Sequence, residues 1–258
     1  MRTNWTPFWA LMKKELRSYF TSPLAYILSA FFLFLLGFVF YNLLLQYVQA
    51  LDLPAQMGGE KNLLGSLLRP FFGWVNLFMA LFCPFVTMRL LAEEKKQKTM
   101  TLLRLSLLSE SSILIAKFFA SFLVLLFMLS LTIIFPLLLV VSGMDYVPLL
   151  WTSYVGMVLN IMCYLSLGIF ASSLTENQTI SVLIGFVLIF VFIIISWFSA
   201  GVSNLFLSEG LRYLSLLAHY EGFSLGVIKI SDILFYLSFI FFWLFMANLS
   251  LERTGDER

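Results

Sequence analysis

The stretch AEEKKQKTMTLLRLSLLSESS, residues 92–112, gathers charges and hydroxyls between two of the most apolar runs in the chain. Glu93, Glu94, Lys95, Lys96, Lys98, Thr99 and Arg104 stand beside Met100, Leu102, Leu103, Leu105, Leu107 and Leu108. The chemistry this mixture supports is docking. The charges keep the segment out of the bilayer, and the leucines offer an apolar surface that a bare topology loop would not need. A second, smaller polar group is Thr175, Glu176 and Asn177, in the turn SLTENQT at 173–179.

Other chemistries lack their residues. There is no GxxxxGK[ST] phosphate loop, so ATP is not expected to bind this chain in that way. There is no HExxH, and no Ser/Lys or Asp/Asp pair inside an apolar run. His219 is the single histidine, with no cluster of His, Cys and carboxylate around it, so no metal site is expected. Cys83 and Cys163 both fall in apolar runs, where a free cysteine behaves as a small hydrophobe. A net charge of only +2 argues against nucleic acid as a partner.

The elements that must carry the polar segments are membrane spans. Of the 258 residues, 61% are hydrophobic and 12% charged, about half the charged fraction of an ordinary soluble domain. Crossing the hydrocarbon takes roughly 20 mostly apolar helical residues. Six runs qualify, near 24–47, 68–88, 114–142, 147–171, 179–198 and 232–251. The expected fold is therefore an all-α integral membrane protein, one transmembrane domain over 1–258 with no separate soluble domain. The first run is far longer than a signal-peptide core of roughly 7–15 residues and has no small-residue cleavage site after it, so it reads as a retained span.

Orientation follows from the Lys and Arg of short loops. Twelve lie on one side of a six-span arrangement: Arg2, Lys13, Lys14, Arg17, Arg89, Lys95, Lys96, Lys98, Arg104, Lys117, Arg253 and Arg258. Four lie on the other: Lys61, Arg69, Arg212 and Lys229. Both termini and the 89–113 loop are expected in the cytoplasm.

Residues 5–20 read as an amphipathic helix. Trp5, Phe8, Trp9, Met12, Leu16, Tyr19 and Phe20 recur at helical spacing, with Lys13, Lys14, Glu15 and Arg17 between them. Such a helix is expected to lie in the membrane interface with its aromatic face in the acyl boundary. It serves as an anchor, or as a lever from cytoplasmic events to the first span. Thr21-Ser22-Pro23 ends it.

The opening stretch predicts a helix from Arg89 to Leu108, continuous with the second span. Ser109 then resembles an N-cap, with Glu110 in the first turn. The return helix becomes span three, with Lys117 still inside it. Residues 110–142 would make a helix about 50 Å long, which must protrude or tilt. Pro84, near the inner end of span two, reads as a hinge or as a plain helix-end proline. Residues 199–231 suggest short helices at the outer surface. Asn42, Asn76, Asn160 and Asn248 read as interhelical hydrogen bonds. No titratable group falls at mid-bilayer, which argues against an ion-coupled carrier or intramembrane enzyme.

Three stretches carry a family resemblance. They are KKELRSYFTSPLAYILSAFFLFLLGFVFY at 13–41, CPFVTMRLLAEEKKQKTMTLLRLSLLSESSILIAKFFASF at 83–122, and LAHYEGFSLGVIKISDILFYL at 217–237. They cover about a third of the chain. Together they resemble the ABC-2 type transporter permeases, and the last resembles the gliding-motility-associated branch. Lys98 stands where many relatives have Gly, and Ser109 where Pro is common.

The resemblance implies a non-catalytic permease half of an ATP-binding cassette exporter in a bacterial inner membrane. It implies a second permease chain, identical or related, and separate ATPase subunits that carry the ATP and Mg; no cofactor is expected on this chain. A periplasmic auxiliary subunit is a further implied partner, besides the lipid bilayer. By similarity, residues 93–104 form the main coupling helix, with Glu93, Glu94, Lys95, Lys96, Lys98, Thr99, Leu102, Leu103 and Arg104 docking the ATPase. Thr175, Glu176 and Asn177 form a second contact. Spans one and five form much of the dimer seam. The alternative reading is a subunit that transports nothing and passes ATP-driven motion to a cell-envelope machine.

Overall fold

The computed structural model describes residues 5–52, 67–97, 109–141, 147–202 and 204–256. Among them the chain is helical, with no strand. In order the helices are α1 (Trp5–Thr21), α2 (Pro23–Asp52), α3 (Arg69–Thr87), α4 (Ala92–Lys96), α5 (Glu110–Leu131), α6 (Ile134–Val141), α7 (Val147–Ser173), α8 (Gln178–Gly201), α9 (Leu205–Leu214), α10 (Leu216–Ser224) and α11 (Ile230–Asp256). Six of these runs are long and apolar enough to cross a membrane. Span one is α2, span two α3, span three α5 with α6, span four α7, span five α8 and span six α11.

Span four is the centre of the bundle. In its most apolar stretch 72% of residues are buried inside the protein, against 28% in spans one and five. Two of its glycines permit this. A Cβ on Gly168 would stand 2.4 Å from the Thr87 hydroxyl at the end of span two, and one on Gly156 would stand 2.6 Å from Phe223 of α10. Asn76 of span two also meets span four. Its Oδ1 accepts from the Tyr164 hydroxyl at 2.7 Å and from Asn160 Nδ2 at 3.3 Å, as expected of polar groups between apolar helices. Asn42 instead donates to its own helix, at the Phe38 carbonyl. Spans one and five turn Tyr26, Ile27, Phe31, Phe34, Phe38, Leu183 and Val187 outward.

Two expected rods are broken. Span two does not continue into the elbow. It stops at Thr87, turns through 88–91, and α4 starts afresh at Ala92. Pro84, one turn earlier, has no N–H for the ladder, and Leu90 and Leu91 are buried, so apolar burial folds the chain back toward the bundle. Span three is not one helix either. It breaks at 132–133, because Pro136 cannot donate to the Thr132 carbonyl. The Phe135 N–H takes that carbonyl at 3.2 Å, and Thr132 N–H and Ile133 N–H reach back only three residues.

The expected cap is present: the Ser109 hydroxyl accepts from the Ser112 N–H and starts α5, with Glu110 in its first turn. The expected short helices after span five are α9 and α10, each started by a side-chain cap, from Asn204 and Ser215.

Candidate functional site

The elbow end of the bundle is organised around Lys117. About two turns inside span three, its ammonium is almost fully buried. A buried ammonium requires counter-charge. Its Nζ lies 2.8 Å from Glu94 Oε1 of α4 and 3.2 Å from Glu15 Oε1 of α1. One lysine thus ties the N-terminal helix, the elbow and span three.

The elbow has a second tether, to span four. The Ser172 hydroxyl accepts from the Leu91 and Ala92 N–H groups at 3.2 and 3.1 Å, which starts α4. The Lys95 ammonium donates to the Ser173 carbonyl, at the C-terminus of span four, where the helix dipole favours a cation. That carbonyl also accepts from the Ser250 hydroxyl of span six at 3.1 Å. Ser111 of span three donates to Asn248 Oδ1 of span six at 3.4 Å.

The N-terminal helix packs along span three. Leu11, which the aromatic stripe omitted, is buried against Ile113 and Ala116 of span three, with Phe8 and Met12 beside it. Leu16, Tyr19 and Phe20 pack on the main core. The Tyr19 hydroxyl donates to the Val86 carbonyl at 2.7 Å, near the end of span two. Protein therefore covers part of the face assigned to the acyl boundary, because span three presents an apolar start to it. Trp9, Lys13 and Lys14 stay exposed. Trp5 lies in α1, and nothing further is described of its side chain.

Of the residues expected to dock an ATPase, Glu94 and Lys95 turn inward to Lys117 and Ser173. Lys96 is exposed and Glu93 partly so, with Gln97 Nε2 donating to Glu93 Oε1. Lys98, Thr99, Leu102, Leu103 and Arg104 lie outside the described residues. In the second turn, Glu176 and Asn177 are exposed. Asn177 Oδ1 caps span five through the Thr179 N–H, and the Thr175 hydroxyl accepts from the Asn177 N–H. Leu174, half exposed, adds an apolar group there. Among the described residues no group of three His, Cys, Asp or Glu could hold a metal.

The sequence offered a signal for one missed role. Lys117 is a cation within an apolar run, and such a group needs partners nearby. Ser172, Ser173 and Tyr19 gave none; they look like ordinary helix residues until the helices meet.

Six apolar helices, a helix lying along span three, and a polar elbow between spans two and three now stand together. Residues 9–246 match the family described as ABC-2 family transporter protein. The chain belongs to that family. No curated protein matches it. As an ABC-2 permease it is a multi-pass membrane component of an ABC system, a kind of subunit that is generally non-catalytic. Membership implies partnership with an ABC ATPase and a bilayer.

Proposed function

We propose that this permease is the membrane half of an ATP-binding cassette exporter, and that it takes up displacement from a separate ATPase at the elbow. The ATP and Mg sit on that ATPase. The observation that carries the reading is the double tether of α4. Lys117 joins it to span three and α1, and Ser172 and Ser173 join it to span four. A five-residue helix held at both flanks by buried polar contacts cannot move without moving those spans. Lys96 and Gln97, exposed, and Glu93, partly exposed, face the partner; the docking segment assigned from the sequence continues through 98–104, and Leu174 to Asn177 form the second contact.

The charge distribution supports placing this end, with both termini, on the cytoplasmic side of a bacterial inner membrane. The outward aromatic and aliphatic faces of spans one and five support a seam with a second permease chain, identical or related. A reading without transport also has support. Span four runs from the elbow to the opposite end, where Gly156 and Ser153 receive Phe223 and Tyr220 of α10. Motion at the elbow would reach α10 through one helix, as in a subunit that drives a periplasmic partner, and the likeness of 217–237 to the gliding-motility branch agrees with it.

Co-purification tests the docking assignment. A tagged chain is expected to retain an ATPase subunit. Leu102→Asp with Leu103→Asp is expected to abolish retention while membrane insertion persists. Retention by the inserted double variant would refute the elbow as the docking site.

A further inference from the structure

The break in span three leaves a slot at the end of the bundle away from the elbow. Its volume is about 700 Å³. One wall is a stripe of span three that runs across the break, from Leu126 and Leu129 to Ile133 and Leu137. The other wall is a stripe of span four, Trp151, Val155 and Val158, with Ile233 of span six at the back.

The two polar side chains on its walls are already engaged. The Ser130 hydroxyl donates to the Phe127 carbonyl at 2.7 Å, and the Tyr154 hydroxyl lies 3.0 Å from the Thr132 hydroxyl. Apart from the Trp151 indole, what remains is hydrocarbon surface, which offers water no partners.

We propose that the slot holds one acyl chain of a bilayer lipid, from the leaflet at the end away from the elbow. Three observations fix the occupant. The slot opens onto the membrane-facing surface, since Trp151, Leu137 and Ile133 are 71%, 53% and 47% exposed. Its mouth lies at the boundary of the bilayer, because Trp151 stands four residues into span four, and tryptophan is enriched at that depth. Its length matches one leaflet: from Leu150 to Leu159 a helix rises about 14 Å, half of a hydrocarbon core of about 30 Å. A chain seated there packs on both pieces of span three and braces them against span four. This inference does not depend on the ATPase partner, because it concerns the resting bundle and its solvent.

The test uses the whole chain in nanodiscs of a phospholipid with a diazirine near the end of one acyl chain. After illumination, label is expected to concentrate on peptides spanning 126–140 and 150–159. Val155→Trp, which fills the slot, is expected to lower that label about tenfold, since each displaced methylene loses apolar burial. Val187→Trp, on the outward face of span five, is expected to leave it unchanged. If Val155→Trp fails to fold, Val158→Phe serves, with tightly bound lipid counted by native mass spectrometry. Label spread evenly over α2 and α8 would overturn the proposal. So would unchanged label in a folded slot-filling variant. An unlabelled slot, with copy-to-copy crosslinks at Trp151, would replace the lipid by a second permease chain.

Discussion

At the elbow end, Lys117 binds acids 102 and 23 residues away in the chain, and Lys95 reaches a carbonyl 78 residues away. At the opposite end, His219 of α10 binds Asp232 13 residues away and the Tyr213 carbonyl 6 residues away. Both are buried polar nodes between helices, but they differ in what they join. The histidine Nε2–H donates to the Tyr213 carbonyl at 2.9 Å, so a further proton must lie between Nδ1 and Asp232, 2.8 Å apart. Phe235 stacks on the ring at 3.9 Å, and the Tyr236 hydroxyl donates to the Leu216 carbonyl at 3.0 Å. The polar partners of His219 all come from 213–232, so that pairing is a local clip. The elbow node has no such independence: its partners sit on helices that only the assembled bundle brings together. A contact meant to report or impose movement between spans has to be of the second kind.

The strongest way to break this contrast is Lys117→Met. It leaves Glu15 and Glu94 facing each other in a buried site, which costs roughly 3–5 kcal/mol. Thermal melting in detergent is expected to fall. Hydrogen exchange is expected to rise in α1, α4 and the start of α5 together, while 213–236 stays protected. Adding Glu15→Gln and Glu94→Gln is expected to restore most of the melting temperature, because a buried ion network can be replaced by neutral groups at little loss. ATPase stimulation by the membrane subunit is expected to remain low in that triple variant, since the charge tether is still gone.

Asp232→Asn is the matching lesion at the other end. It keeps the shape but removes the charge opposite His219, at about 1–3 kcal/mol. Exchange is expected to rise in α9, α10 and the start of α11, with α1 and α4 unchanged. Loosening at both ends would show that the two nodes are one cooperative unit. Ser172→Ala is the smallest lesion. It removes the acceptor for two N–H groups at the start of α4 and is expected to cost about 1 kcal/mol, in the range of a lost helix cap. Exchange is expected to rise at Leu91 and Ala92 before anywhere else.

Much of this fold could be read from the chain. The apolar runs, the Ser109 cap and the short helices after span five rest on local patterns, and local patterns are what a sequence displays. The breaks were harder. Pro84 and Pro136 were both visible, but where a helix resumes after a proline depends on what its neighbours bury. Leu90 and Leu91 belong to the core, which no periodicity of an isolated elbow reveals. The stripe of α1 was read nearly in full, but its packing on span three was not, because apolar spacing does not distinguish lipid from a protein helix. Glu94 and Lys95 looked like surface charges for the same reason. Their partners are a lysine in span three and a carbonyl in span four.

The central claim is that α4 moves as one body with the end of span four. Spin labels placed at Lys96→Cys and Leu174→Cys measure this in the complex with its ATPase, since Cys83 and Cys163 are buried. The distance between the labels is expected to stay the same in the nucleotide-free and ATP-bound states, and to broaden in Lys117→Met. A shift on ATP binding in the otherwise unaltered chain would mean that the elbow slides past span four, and the tether described here would not be the route of force.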